Sequence, residues 1–200
     1  YDIRMQRYDA EGDKVGLVER VNQYVSSSQS QSSMDELADG TVVVTWYDGR
    51  SSDIYARLYD EDGNGIGDEF RINSYTSSSQ EQPDITALED GGFVVTWQDD
   101  SGHTGGSGTD IRGQRFDASA EKSGSEFRVN SYTSNTQNET EVLGLSDGGF
   151  VVTWTSNGQD GSNEGIYSRR FDADGNVEQE ATLTGGTGVD TVVMTPGQRN

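Results

Sequence analysis

The residues with the clearest chemistry lie in one short run, Asp60-Glu61-Asp62-Gly63-Asn64-Gly65-Ile66-Gly67-Asp68. Oxygen-bearing side chains recur there at alternate positions, and a glycine lets the chain wrap, which is what a hard ion such as calcium asks of a loop. Asp60, Asp62, Asn64 and Asp68 are the candidate ligands. The run is not an EF-hand, because the bidentate glutamate needed at the twelfth position falls on Arg71. The same composition also makes a good hairpin turn, since Asp, Asn and Gly accept positive φ cheaply. Both readings stand at this point.

A second calcium candidate lies near the end of the sequence. Gly185-Gly186-Thr187-Gly188-Val189-Asp190-Thr191-Val192-Val193 fits the nonapeptide G-G-x-G-x-D-x-U-x position by position, with Asp190 as the ligand. One copy cannot build a coil that shares each ion between adjacent turns. The competing reading is a glycine turn leading into a last strand over 189–194.

Two further groups, Asp99, Asp100 and Asp110, and Asp160, Asn163 and Glu164, flank or lie in stretches of unequal length that read as loops. Variable loops on a repeated scaffold are where recognition tends to sit, so sugars or ions are the expected ligands, against a plain solvated loop. Catalysis finds little footing. His103 is the single histidine and stands in a Gly/Ser-rich stretch, so neither a Ser–His–Asp arrangement nor a histidine metal site is implied. Carboxylate pairs are abundant among 35 acids, which leaves glycosidase chemistry open. There is no cysteine, hence no disulfide and no thiol chemistry.

What must position these groups is a repeat. Gly91-Gly92-Phe93-Val94-Val95-Thr96-Trp97 returns letter for letter at 148–154, and Gly40-Thr41-Val42-Val43-Val44-Thr45-Trp46 is a looser copy. A second marker reads Arg7-Tyr8-Asp9, Leu58-Tyr59-Asp60, Arg115-Phe116-Asp117 and Arg170-Phe171-Asp172, and a third Arg20-Val21-Asn22, Arg71-Ile72-Asn73 and Arg128-Val129-Asn130. A fixed period of this size means one supersecondary unit copied several times, each unable to bury its apolar face alone. Within a unit the spacing predicts strands only. Short extended segments at 86–88 and 141–145 end in Asp-Gly hairpin signals. A continuously apolar, central strand follows at 93–97. Alternating strands at Asp110–Phe116 and 126–130 complete the unit, and 131–138 reads as a polar connection. No window has helical periodicity with caps.

The expected fold is therefore all-β, with repeated four-stranded antiparallel units arranged like propeller blades. A stacked sandwich or solenoid array is the alternative. Residues 1–22 supply half a unit, complete units run at about 34–73, 84–130 and 141–184, and 185–200 form a glycine-rich tail. Tryptophans 46, 97 and 154 sit in the most apolar strand, which makes them core residues rather than sugar-stacking platforms.

The bulk charge agrees with a binding or structural role. Fourteen Lys and Arg against 35 Asp and Glu give −21, which argues against nucleic acid and anionic membranes. No apolar run is long enough to span a membrane. The chain opens mid-unit at Tyr1, as an excerpt or a processed piece would.

The run Gly148-Gly149-Phe150-Val151-Val152-Thr153-Trp154, then Gly165-Ile166-Tyr167 and Arg170-Phe171-Asp172-Ala173-Asp174-Gly175-Asn176, is similar to a repeat of very large secreted bacterial proteins of the repeats-in-toxin type. The likeness covers residues 1 to about 183. It implies a calcium-associated adhesin or surface-layer-like protein, secreted without a cleaved signal. The function expected is a non-enzymatic extracellular structural or adhesive module of a bacterial surface or filament, associating with itself or with neighbouring repeats head-to-tail. The alternatives are a carbohydrate-binding propeller that takes glycans in its loops, and an accessory domain of a secreted hydrolase.

Overall fold

The computed structural model describes residues 1–102, 107–161 and 163–183, with side chains of the last strand described up to residue 178. Among the described residues there are fourteen strands and no helix. Strands β1 (Arg4–Tyr8) and β2 (Lys14–Arg20) pair as a two-stranded sheet. Three four-stranded antiparallel sheets follow in chain order: β3 (Gln29–Glu36) to β6 (Gly65–Arg71), β7 (Gln80–Ala87) to β10 (Lys122–Arg128), and β11 (Gln137–Gly144) to β14 (Val177–Leu183). Their middle strands are β4 (Val42–Asp48) and β5 (Asp53–Tyr59), β8 (Phe93–Asp99) and β9 (Asp110–Phe116), and β12 (Phe150–Asn157) and β13 (Glu164–Phe171). Each sheet is a meander, and the innermost strands β3, β7 and β11 stand beside one another, as in propeller blades.

The hairpins are set by local chemistry. In the first turn of each blade Asp39, Asp90 and Asp147 accept the amide two residues on, at 2.9, 3.0 and 3.2 Å, while the glycine between takes φ near +86°. That pairing of an Asx turn with a left-handed glycine is cheap for this sequence and for few others. The turn between third and fourth strands is equivalent in all four units. Asp9, Asp60, Asp117 and Asp172 each accept the amide four residues on at 2.7–3.0 Å.

The two middle sheets, β3–β6 and β7–β10, bury both faces by packing on a neighbour at either side, which is why their central strands are apolar throughout. The forward face of one blade meets the aromatic rear face of the next. Ile3 and Val21 of the half blade pack on Val44, Trp46 and Tyr59. Leu37, Val43, Ile54 and Ile72 pack on Phe93, Val95, Trp97 and Phe116. Leu88, Val94, Ile111 and Val129 pack on Phe150, Val152, Trp154 and Phe171. Phe93 stacks on Phe116 and Phe150 on Phe171, both at 4.7 Å between ring centres. All three tryptophans are fully buried, as their place in the repeat requires.

Two boundaries differ from the sequence expectation. The inner strands begin at Gln80 and Gln137, not near residues 86 and 141. The fourth strand of the third sheet starts at Lys122 and ends at Arg128 rather than spanning 126–130. Both extensions are polar and carry a bulge, so neither alternates in hydrophobicity.

Candidate functional site

In an antiparallel meander the starts of the first and third strands share an end with the finishes of the second and fourth. At that end the structure places a polar hub in each of the first three units. Asn73 is buried, and its Oδ1 accepts the Ile54 amide at 2.9 Å. Its Nδ2 donates to Asp53 at 2.7 Å, to the Tyr75 carbonyl at 2.6 Å and to Gln80 at 3.1 Å. Gln80, the first residue of the next inner strand, donates in turn to Asp99 at 3.1 Å. Asn22 repeats the Ile3, Asp2, Tyr24 and Gln29 contacts, and Asn130 those to Ile111, Asp110 and Tyr132.

This network corrects the expectation for two loop acids. Asp99 and Asp110 are buried scaffold groups, not ligand-facing ones. Asp99 also accepts from Ser101 and pairs with the buried Arg112 at 3.1 Å, which reaches Glu126 at 3.7 Å. Asp100, Asp160, Asn163 and Glu164 are exposed. His103 and Asp190 lie outside the described residues.

The 60–68 loop sits at the opposite end. Asp60 and Asn64 are bonded to each other: the Asn64 amide and side chain both donate to the Asp60 carboxylate at 2.7–3.2 Å. Those bonds, the Asn64 side chain first, hold the Asp60 carboxyl below its ordinary value. Asp62 is exposed, and its carbonyl accepts from Arg7 of the preceding sheet. Asp68 accepts from Gln23 at 2.9 Å. Among the described residues no group of three or more His, Cys, Asp or Glu converges as a metal site would.

The site that sequence reasoning missed is the groove along the inner strands. Gln31, Gln82 and Glu139 occupy one equivalent position in β3, β7 and β11, and each holds positive φ, at 55°, 52° and 53°. A bulge follows in every case and turns these side chains towards the axis. None of the three is a residue that tolerates this conformation well, and each costs of order 1–3 kcal/mol. The conformation recurs in all three blades, as it does at Ser27, Ser78 and Asn135 in the preceding connections. Gln31 accepts the Gln82 amide at 2.9 Å, and Gln82 the Glu139 amide at 3.4 Å. Two residues on, Asp84 bridges its neighbours, taking the Ser33 hydroxyl at 2.7 Å and the Val142 amide at 2.8 Å.

These residues enclose a groove of about 510 Å³ lined by Gln31, Ser33, Gln82, Asp84, Glu139 and Glu141 among others. Gln31, Gln82, Glu139 and Glu141 are exposed. The amide Nε2 groups of Gln31 and Gln82 and the two glutamates thus give donors and acceptors at repeated spacing, with three carboxylates in the lining. Polarity hid the groove in the sequence; the signal that could have found it is the position shared by Gln31, Gln82 and Glu139, fixed by counting back from each tryptophan.

No family pattern matches the chain, and no curated protein does. Among solved structures the chain is similar to an α-L-arabinofuranosidase from Lactobacillus brevis, with TM-score 0.54 and 13% identity over 78% of this chain and 53% of that one. It is also similar to an endo-arabinase from Bacteroides thetaiotaomicron (TM-score 0.48, 16% identity, 79% and 62% covered) and to a fucose lectin from Kordia zhangzhouensis (0.45, 10%, 77% and 99%). At these identities the likeness is one of fold. The chain spans about half the length of the arabinofuranosidase. Among the described residues no helix is long and apolar enough to cross a membrane.

Proposed function

We propose that the chain is a non-catalytic carbohydrate-binding module of an extracellular adhesive protein, with the glycan lying in the groove along the inner strands. The observation that carries this reading is the strained trio Gln31, Gln82 and Glu139, whose side chains repeat donors and acceptors along one open groove. Side-chain amides and carboxylates at fixed spacing suit the vicinal hydroxyls of a sugar. The arabinofuranosidase, whose name places it among carbohydrate-active proteins, supports the same substrate class through the fold alone.

Asp84 spends both carboxylate oxygens on joining blades, so we read the groove as holding rather than reacting. Three carboxylates in the groove lining favour neutral or amino sugars over uronic acids, because like charges repel in a partly desolvated cleft. A glycan array probed with the 200-residue chain and with a Gln82→Ala, Glu139→Ala variant tests the reading. Dose-dependent binding to one glycan class, lost in the variant, is the expected result. No binding to any glycan would leave a purely structural repeat.

A further inference from the structure

The three interfaces between successive sheets are built alike, and the two outermost faces are their unmatched halves. On the rear face of the half blade, Tyr8 holds the place of Tyr59, Phe116 and Phe171. Those three are at most 3% exposed, whereas Tyr8 is 58% exposed. On the forward face of the last sheet, Leu145, Val151 and Ile166 hold the places of Leu88, Val94 and Ile111. Ile111 is fully buried while Ile166 is 47% exposed.

A second relation shows what these faces fit. Two of the internal junctions are also stitched by the segment that leaves the preceding blade. Gln23 and Glu69 exchange amide bonds at 2.7 and 2.9 Å, Gln23 donates to Asp68, and Ser74 donates to Glu126 at 2.7 Å. That segment reads Asn-Gln-Tyr or Asn-Ser-Tyr after β2, β6 and β10. The sequence after β14 reads Thr184-Gly185-Gly186 instead. The half blade departs in the same sense: Leu17 and Val18, 85% and 51% exposed, stand where the receiving Asp68 and Glu69 stand in the next sheet. Leu17 and Val18 therefore give the rear face no acceptor for such a segment, and suit it to a face that brings none.

We infer that the forward face of the last sheet docks on the rear face of the half blade of a second copy, through Leu145, Val151 and Ile166 against Tyr8, Leu17 and Val18. The contact reuses one part of the internal packing, with Tyr8 in the place that Phe116 and Phe171 hold. It is heterologous, because the two patches are different surfaces, and it repeats in chains unless the rotation closes a ring. The chain carries −21, so salt strengthens the contact by screening repulsion between copies.

Sedimentation velocity over a concentration series tests this with two variants of the 200-residue chain, Ile166→Glu and the double change Leu17→Glu, Val18→Glu. All three positions are exposed, and unchanged circular dichroism and melting temperature check that each variant folds; Ile166→Thr substitutes if Ile166→Glu does not. Wild type should associate increasingly with concentration, and more so in high salt. Each variant alone should stay monomeric. Mixed in equal amounts they should form a one-to-one dimer, because each keeps the face the other has lost. Wild type that is monomeric at every concentration, variants that associate as wild type does, or a mixture that stays monomeric would each overturn the proposal.

Discussion

The Asp84 carboxylate accepts the Val142 amide at 2.8 Å across the gap between two inner strands that share no backbone ladder. Equivalent links run from the Ala87 amide to Asp35 at 2.8 Å and from the Gly144 amide to Thr86 at 3.0 Å. Blade is joined to blade along the groove by side chains standing in for a missing strand pairing. Asp84→Ala leaves the Val142 amide and the Ser33 hydroxyl without their acceptor, and should cost about 1–3 kcal/mol. Asp84→Asn, which keeps one acceptor oxygen, should cost less; urea unfolding of the pair checks the order.

Asn73 should be more sensitive. Asn73→Ala strips partners from the Ile54 amide, Asp53, the Tyr75 carbonyl and Gln80 at once. Buried groups left in this way cost about 1–3 kcal/mol each, so the loss should exceed that of Asp84→Ala. Asn73→Asp should rescue little, because it keeps the acceptor for Ile54 but sets a second carboxylate against Asp53. Equal losses for Asn73→Ala and a surface control such as Ser77→Ala would refute the hub.

Trp97→Ala should cost about 3–5 kcal/mol, since the indole fills the interface between two sheets and its removal leaves a cavity. Thermal unfolding gives the shift directly. An unchanged melting temperature would mean that the interface is not where the indole packs.

The 60–68 loop yields a titration. Asn64 holds the Asp60 carboxyl below its ordinary value, so the unfolded chain takes up this proton first. A depressed folded value means that the stability contributed by this turn is present above the ordinary carboxylate pKa, about 3.9, and is lost as pH falls through the folded one. Carboxyl NMR should show Asp60 titrating below that value, and Asn64→Ala should move it upward, part of the way because the backbone amide still donates. An Asp60 that titrates normally in the wild type would refute the bond.

The same loop decides the metal question. Asp60 is engaged by its own turn and Asp68 by Gln23, so calcium, magnesium and sodium chloride at matched ionic strength should raise the melting temperature alike, as screening does. A calcium-specific rise that disappears in Asp60→Asn, Asp62→Asn would instead restore the ion-binding reading.

The scaffold was legible because repetition exposes it. Three tryptophans in register, the Asp-Gly hairpins and the strand Asp110–Phe116 were all read from spacing, and the strand has those bounds in the structure. The groove was not legible, because β7 and β11 open with Gln80-Glu81-Gln82 and Gln137-Asn138-Glu139, polar runs that give no hydrophobic period. Asp99 and Asp110 failed as ligand candidates for a related reason. Polar residues beside loops read as solvent-facing, and only the fold brings Asn130, twenty residues on, to Asp110 and Gln80, nineteen residues back, to Asp99. The third marker repeated the asparagine without revealing that it is the hub.

Because no ladder crosses from one inner strand to the next, the number of blades is not written into any strand register. A copied unit inserted between two others breaks no pairing and needs only a Leu/Val/Ile face, an aromatic face and the few side chains that reach across. Tandem gene duplication can therefore lengthen or shorten such an array one unit at a time, while each surviving junction keeps the contacts it already had.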